Sequence, residues 1–419
     1  MNSRERVIAA INHQQPDRTP IDLGGTDVSG IHCNAMYSLR EYMNLPKKLI
    51  RCSNVLFMLA DMDEDVIEAL EVDVIDILSP NNLLGFPNDN FKEMFLCGNK
   101  VLVPSGFNVT IDSDGTVYGY PKGDVSKAPS VKMPANGLYF DNIIRQKPIE
   151  SLKWNARKDY EQDVSIMSDS DCTYYQKMSQ KLRKETDKAI YCGLYPGGHG
   201  DFFNVPGPWL DAPDGIRDLT EWLMAHYSNP EYIKESFDYF TEVGLENLKL
   251  LKSAVGIDGI DILGVSATDF GTQNGPLMSI DMYREFYKPH HKKINCWIHK
   301  NTKWKTFIHS DGVIFDFIED FIDAGFDILN PVQINDDAMK PSLLKQKFGD
   351  RIIFWGGAVN PQTTMNFGTI EEVIAETRQN VKILGQGGGY IAANVHNIQP
   401  NVKPEYIVAL FDTAKSVTY

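Results

Sequence analysis

The sequence predicts an α/β chain closed into a (β/α)8 barrel of the TIM type, with one inserted run of hairpins lying over its C-terminal mouth. Three observations carry this. From about residue 189 to the end, short β-branched or apolar runs alternate with polar or Gly-rich turns and amphipathic helical stretches. The runs are nearly continuous in apolar residues, as strands buried on both faces must be, and helical crossovers between them make the strands parallel. Residues 80–157 break this alternation with short alternating runs punctuated by Gly, Asn and Asp.

Taken in order, residues 1–15 are charged and helix-like, with Arg4, Glu5 and Arg6 where an export signal would need an apolar run. A helix over 63–70 leads into the first strand, 72–78 (VDVIDIL). The insertion follows, with hairpin signals at 100–104 (KVLVP) and 115–120 (GTVYGY). Six further runs complete the visible set, at 189–195, 259–265, 304–309, 327–332, 352–355 and 390–395. Seven runs are thus legible where a (β/α)8 barrel needs eight, so one strand is hidden. Residues 1–419 are read as a single barrel domain, with 80–157 as its inserted cap.

Composition narrows the function classes. With 42% hydrophobic and 23% charged residues, the chain has material for a large core. A formal charge of −15 disfavours nucleic acid or an anionic membrane as partner, since both need clustered Lys and Arg. No apolar stretch approaches the roughly 20 residues that span a bilayer, so the expected location is cytoplasmic. The six cysteines are scattered, without a C-x-x-C pair, and read as reduced, packed thiols. Whether the chain forms a homo-oligomer stays open at this level.

In a barrel the chemistry sits where the strands end, and the polar residues collect there. Tyr195 and His199 follow one run, Asp269 and Gln273 the next, His309 and Asp311 the third, Asn330 and Gln333 the fourth, and His396 the last. His309 and Asp311 form an H-x-D pair, which points to one side if the strand continues. With His396 they offer two imidazoles and a carboxylate, suited to a divalent metal or, equally, to hydrogen bonds with loop backbone. Asp269 is free for orienting substrate or for acid–base work, because Ser279 is the better cap for the helix that begins near Ile280. Candidate catalytic residues are therefore Asp269, His309, Asp311 and His396, with Tyr195, His199, Gln273, Asn330 and Gln333 as substrate contacts. The Gly-rich turn YPGGHGDFF brings backbone N–H groups to the mouth, as an anion site or simply a tight turn. Aromatics at Tyr118, Tyr120, Tyr139, Phe140, Phe202, Phe203 and Trp209 either wall a flat ligand or pack ordinarily.

The ordered segments RERVIAAINHQQPDRTPIDLGG, DFGTQNGPLMSIDMYREFYKP, FIHSDG, DILNPVQ, WGGAVNPQ and GGGYIAANVHNIQPNVKPE resemble the uroporphyrinogen decarboxylase superfamily over nearly the whole chain. The M-R-Q-A-G-R segment that grips porphyrin carboxylates in true decarboxylases has no counterpart. The resemblance therefore leans to the branch of corrinoid-dependent methyltransferases, which move methyl between a small molecule and a corrinoid carried on a partner protein. Members that deliver methyl to a thiol have zinc held by H-x-C and a later Cys. Here His309 matches the His, but Asp311 and His396 stand at the two Cys positions. The resemblance thus implies a harder N/O site, for zinc or another divalent ion, or a His/Asp set that polarises a leaving oxygen. That favours an O-demethylase type of enzyme acting on a methyl ether. The alternatives are a decarboxylase-like lyase and a non-catalytic barrel that binds a corrinoid protein. The chain has no D-x-H-x-x-G corrinoid anchor of its own, so the corrinoid is expected on the partner.

Overall fold

A computed structural model describes residues 1–334 and 336–419. Seven strands form one parallel sheet: β1 (Val74–Asp76), β2 (Ala189–Gly193), β3 (Ile262–Ser266), β4 (Lys305–His309), β5 (Ile328–Asn330), β6 (Ile353–Trp355) and β7 (Tyr390–Ile391). Each pairs with its neighbour in sequence, so spatial order equals chain order. The hidden eighth position is residues 20–22. Asp22 N–H donates to Ala392 O (2.9 Å), Ala392 N–H to Pro20 O (2.9 Å), and Asp73 N–H to Ile21 O (2.9 Å). This segment therefore joins β7 to β1 and closes the ring.

Closure is visible in the packing. One cluster of buried residues, Val74, Ala189, Tyr191, Ile262, Phe307, Ile328, Ile353, Trp355 and Ile391, takes alternate positions from successive strands and fills the lumen. In-between residues such as Ile190, Leu263, Ile308, Leu329 and Phe354 belong to a separate cluster shared with the surrounding helices. Val7 and Ile11, from the helix Ser3–Ala10 and its C-cap, plug the lumen at its N-terminal end. Within the barrel Tyr191, Phe307 and Trp355 meet edge to face, with centroids 5.3 and 5.5 Å apart.

The crossover helices carry local signals that end them where the strands begin. Helix Ile370–Gly385, between β6 and β7, starts with a capping box of Thr369 and Glu372 and has Lys382 in its last turn. Helix Pro230–Val255, between β2 and β3, opens on a proline that needs no N–H partner and ends at Gly256, whose φ is 76°.

Between β1 and β2 lie short antiparallel pairs. Lys92–Leu96 and Asn99–Val103 form a hairpin that Ile50–Arg51 joins in parallel. Val109–Ile111, Val117–Gly119, Val131–Met133 and Asp141–Asn142 form a four-stranded antiparallel sheet. The segment leans on the barrel's C-terminal side. Tyr139 Oη donates to Gln399 Oε1, Leu138 O lies 3.1 Å from His32 Nε2, and Arg145 donates to the carbonyls of Leu210 and Gly207, both at 2.6 Å. Among the described residues, no helix is long and apolar enough to cross a membrane.

Candidate functional site at the barrel mouth

The strand ends bring the expected residues together. His309 is the last residue of β4 and Asn330 the last of β5, and their backbones are paired in register. His309 Nδ1 therefore sits 2.6 Å from Asn330 Oδ1, to which it donates, because Asn330 Nδ2 is committed to Trp355 O at 3.1 Å. That bond fixes the ring and turns Nε2 to the mouth, where Asp311 Oδ2 lies 3.7 Å away. His396 Nε2 lies 3.7 Å from the same oxygen, and the two imidazole centroids are 5.3 Å apart. Asp269 accepts the backbone N–H of Asp311 at 2.7 Å, and Gln333 accepts that of Gly312 at 2.6 Å. Gln333 in turn donates to Gln273 at 2.8 Å. A loop this tight depends on Gly312, whose φ is 90° and whose backbone passes so close to Gly271 that a Cβ would fall 2.4 Å from its carbonyl carbon.

Charge follows from this geometry. Burial works to lower the His309 pKa, but the carboxylates of Asp311 and Asp269 outweigh it and hold the imidazole up at about 9. Burial works to raise Asp311, and the His309 charge overrides it, down to about 2. Asp269, lacking a cation of its own, is raised by burial to about 6. Burial lowers His396, which stays neutral. At neutral pH the centre is thus an imidazolium and carboxylate pair flanked by a neutral imidazole.

The ligand atoms of His309, Asp311 and His396 all lie within 4.8 Å of one another, close enough to share a metal ion. Their orientations fit a metal only in part. His309 has the arrangement a ligand needs, with Nδ1–H held by a neighbour and Nε2 facing inward. His396 has the reverse: its Nδ1 accepts the Asn397 N–H at 2.8 Å, so in the neutral ring the proton sits on Nε2, the atom that faces Asp311. As arranged, the trio is a hydrogen-bonding set with two open donor atoms rather than three.

Tyr195 reaches the mouth by an unusual route. Its φ is 53°, a left-handed backbone that bulky residues seldom adopt, and its hydroxyl donates to Asp27 Oδ1 while meeting Tyr191 Oη at 2.8 Å. His199 takes a different place. Its ring is buried against Phe237 (4.9 Å between centroids) with Nε2 3.0 Å from Thr241 Oγ1, beside a cavity of about 450 Å³ that also reaches Trp209 and Trp222. Of the aromatics, Phe203 packs at a tilt against Phe57 with centroids 4.5 Å apart, and Tyr139 touches Gln399. Tyr120 is buried in the hairpins, bonded to Thr110 at 2.6 Å.

Three acids were not anticipated. Asp201 accepts the N–H groups of Phe203 and Asn204, and burial together with Asp269 raises it to about 7. Asp76 ends β1 and Asp27 follows the closing segment, and together they line a further cavity beside the mouth. The signal for Asp76 was present: a carboxylate inside a run buried on both faces, VDVIDIL, needs a reason to be there.

Comparison with known proteins gives three results. A family model described as uroporphyrinogen decarboxylase (URO-D) matches residues 205–417. Among solved structures, a methyltransferase from Methanosarcina mazei aligns over 99% of this chain and 98% of its own, with a TM-score of 0.54 at 14% identity, which shows a common fold. A Xaa-Pro dipeptidase with bound methionine covers 58% of this chain and 59% of its own at 12% identity, and its TM-score of 0.27 carries no argument. No curated protein matches the chain.

Proposed function

The chain belongs to the uroporphyrinogen decarboxylase family, and from that premise we propose that it moves a methyl group between a small methylated molecule and a corrinoid carried on a partner protein. The observation that carries this reading is the His309–Asp311 pair: a cation held charged at the mouth of a barrel, with a neutral His396 across from it. Taking methyl from oxygen leaves an alkoxide or phenolate, which departs readily only when a hydrogen bond or a proton meets it. His309 is placed to supply that proton and Asp311 to hold the imidazolium in orientation, while Asp269 fixes the loop that carries Asp311. A methyl ether is therefore the first donor class to test. The corrinoid supplies a cobalt(I) nucleophile, and the mouth must admit it in line with the donor methyl. Residues 80–157, read as an inserted cap of one barrel domain, would shield the donor from water.

The methyltransferase of the same fold supports this branch. So does the lining of the mouth, since a polyacidic porphyrin would meet the carboxylates of Asp269 and Asp311 there, and the His309 charge is already paired with Asp311. The test mixes the protein with a reduced corrinoid protein and a panel of methoxyaromatics, methylamines and methanol, and follows the cobalt(I) to methylcobalt spectral change. Methylation of cobalt from one donor, lost in His309→Gln, is expected. No transfer in either direction overturns the reading and leaves a corrinoid-protein-binding barrel.

A further inference from the structure

Beside the His309 centre, Asp27 and Asp76 line a cavity of about 120 Å³ whose other walls include Ser53, Asn54, Asn82 and Gly193. These two carboxylates are neighbours, and no Lys or Arg is among the groups that shift them. Among the described residues neither forms an ion pair; burial raises both, Asp27 and Asp22 raise Asp76 further, and the Tyr195 hydroxyl and the His309 charge lower Asp27. Among the described residues, the buried Oδ1 of Asp76 has no hydrogen-bond partner. An unmatched carboxylate oxygen in a low-dielectric wall is costly unless a proton or a group brought from outside satisfies it.

We infer that the small molecule accepted at this mouth carries a positive charge, and that its ammonium or quaternary nitrogen seats at Asp27 and Asp76. The inference rests on the methyl-transfer reading only for the other end of the molecule, where the methyl-bearing atom meets His309.

Two features favour an organic cation over a metal ion. Among the described residues, the one group of three His, Cys, Asp or Glu whose ligand atoms lie within 4.8 Å of one another is His309, Asp311 and His396, so Asp27 and Asp76 lack a third strong ligand. The remaining walls combine asparagine amides and two serine hydroxyls with the aliphatic side chains of Ile77, Leu78 and Leu83, which suit N–H donors and methyl groups. Asp27 is held in place by the Tyr195 hydroxyl, itself backed by Tyr191. The His309 charge acts on Asp27, which puts the cavity and the His309 centre at the same mouth. Burial and the adjacent Asp27 and Asp22 push the Asp76 carboxyl well up, as expected of acids waiting for a counter-charge.

The experiment is calorimetric titration of the intact protein, without corrinoid, against three probes: choline, its neutral isostere 3,3-dimethylbutanol, and anionic 4-methoxybenzoate. Choline is expected to bind at least about tenfold more tightly than the neutral isostere, with 4-methoxybenzoate weakest. That ratio should collapse in Asp76→Asn and shrink in Asp27→Asn, and the second variant keeps the test available if the first fails to fold. Equal affinity for the isosteric pair, tighter binding of 4-methoxybenzoate, no binding of choline, or an unchanged ratio in both variants overturns the inference. Magnesium or zinc that binds through Asp76 and excludes choline does the same. Choline selectivity without any transfer to cobalt removes only the methyl-transfer reading.

Discussion

His309 is the residue on which the proposed transfer turns, and its neighbours set its charge. Its folded pKa is raised, so the stabilisation it gains is complete below the ordinary histidine value near 6.5 and is lost as the pH climbs through about 9. In a series of melts, the wild type should therefore lose its margin over His309→Gln across that range. Below it the margin should dip as Asp269 protonates near pH 6, and fall again as the pH drops from the ordinary aspartate value of 3.8 through about 2, where Asp311 protonates. In turnover, His309→Gln should lower kcat on the order of a hundredfold or more with little change in KM, since a proton donor to the leaving atom acts in the transition state. The opposite split, KM raised with kcat kept, would make His309 a binding group. His396 gives a separate expectation. Because its inward nitrogen carries the proton, purified protein should hold well under one divalent ion per chain by mass spectrometry, and a chelator should leave both melting and turnover unchanged. A stoichiometric ion would mean that the ring turns over and gives up its bond to Asn397.

At the scale of elements, the loop after β4 depends on one residue without a side chain. Gly312→Ala would force a Cβ against the backbone of Gly271 and Thr272 at a φ of 90°, so Asp311 and the Gln333 contact should both shift. A loss of about 1–3 kcal/mol is expected in chemical denaturation, together with a fall in the His309 pKa as its carboxylate moves away. An unchanged imidazole titration by NMR would show that the loop holds Asp311 by other means. This loop and its strand were legible in the sequence, because KTFIH is an apolar run that ends on polar residues. The closing segment was not. Residues 20–22 are Pro, Ile and Asp, with one apolar side chain and no alternation, and they behave as strand only because β7 and β1 supply partners on both sides. The site divides in the same way. His309, Asp311, His396, Asp269 and Asn330 were found because they end runs or follow them closely, whereas Asp201 lies in a turn whose glycines drew the attention. His199 follows a run too, yet its ring turns into the helix layer, since strand position says which residues reach a mouth and not which way a loop then carries them.

For the whole molecule, the decisive question is what keeps a ring of eight short strands closed, and Asp73 answers it. Its carboxylate is fully buried and takes Arg6 Nη1 at 2.7 Å, Arg18 Nη1 at 2.7 Å and the Ile21 N–H at 2.9 Å. Its own N–H donates to Ile21 O and its carbonyl accepts the Ala189 N–H. One residue thereby ties the N-terminal helix, the closing segment and the first two strands. Replacing it by Asn leaves two guanidinium groups facing a neutral amide in a buried place, and the loss of one partner from such a set costs about 3–5 kcal/mol. Asp73→Asn should therefore unfold at markedly lower denaturant. Hydrogen exchange should show where the damage starts: in the wild type the amides of Asp22, Asp73 and Ala392 are expected to be protected as strongly as those of β4. In the variant those three should exchange first, while β3 to β5 remain slow. Wild-type exchange that is fast at all three would mean an open sheet with frayed edges. Loss of protection everywhere at once in the variant would mean that closure and core form a single cooperative unit.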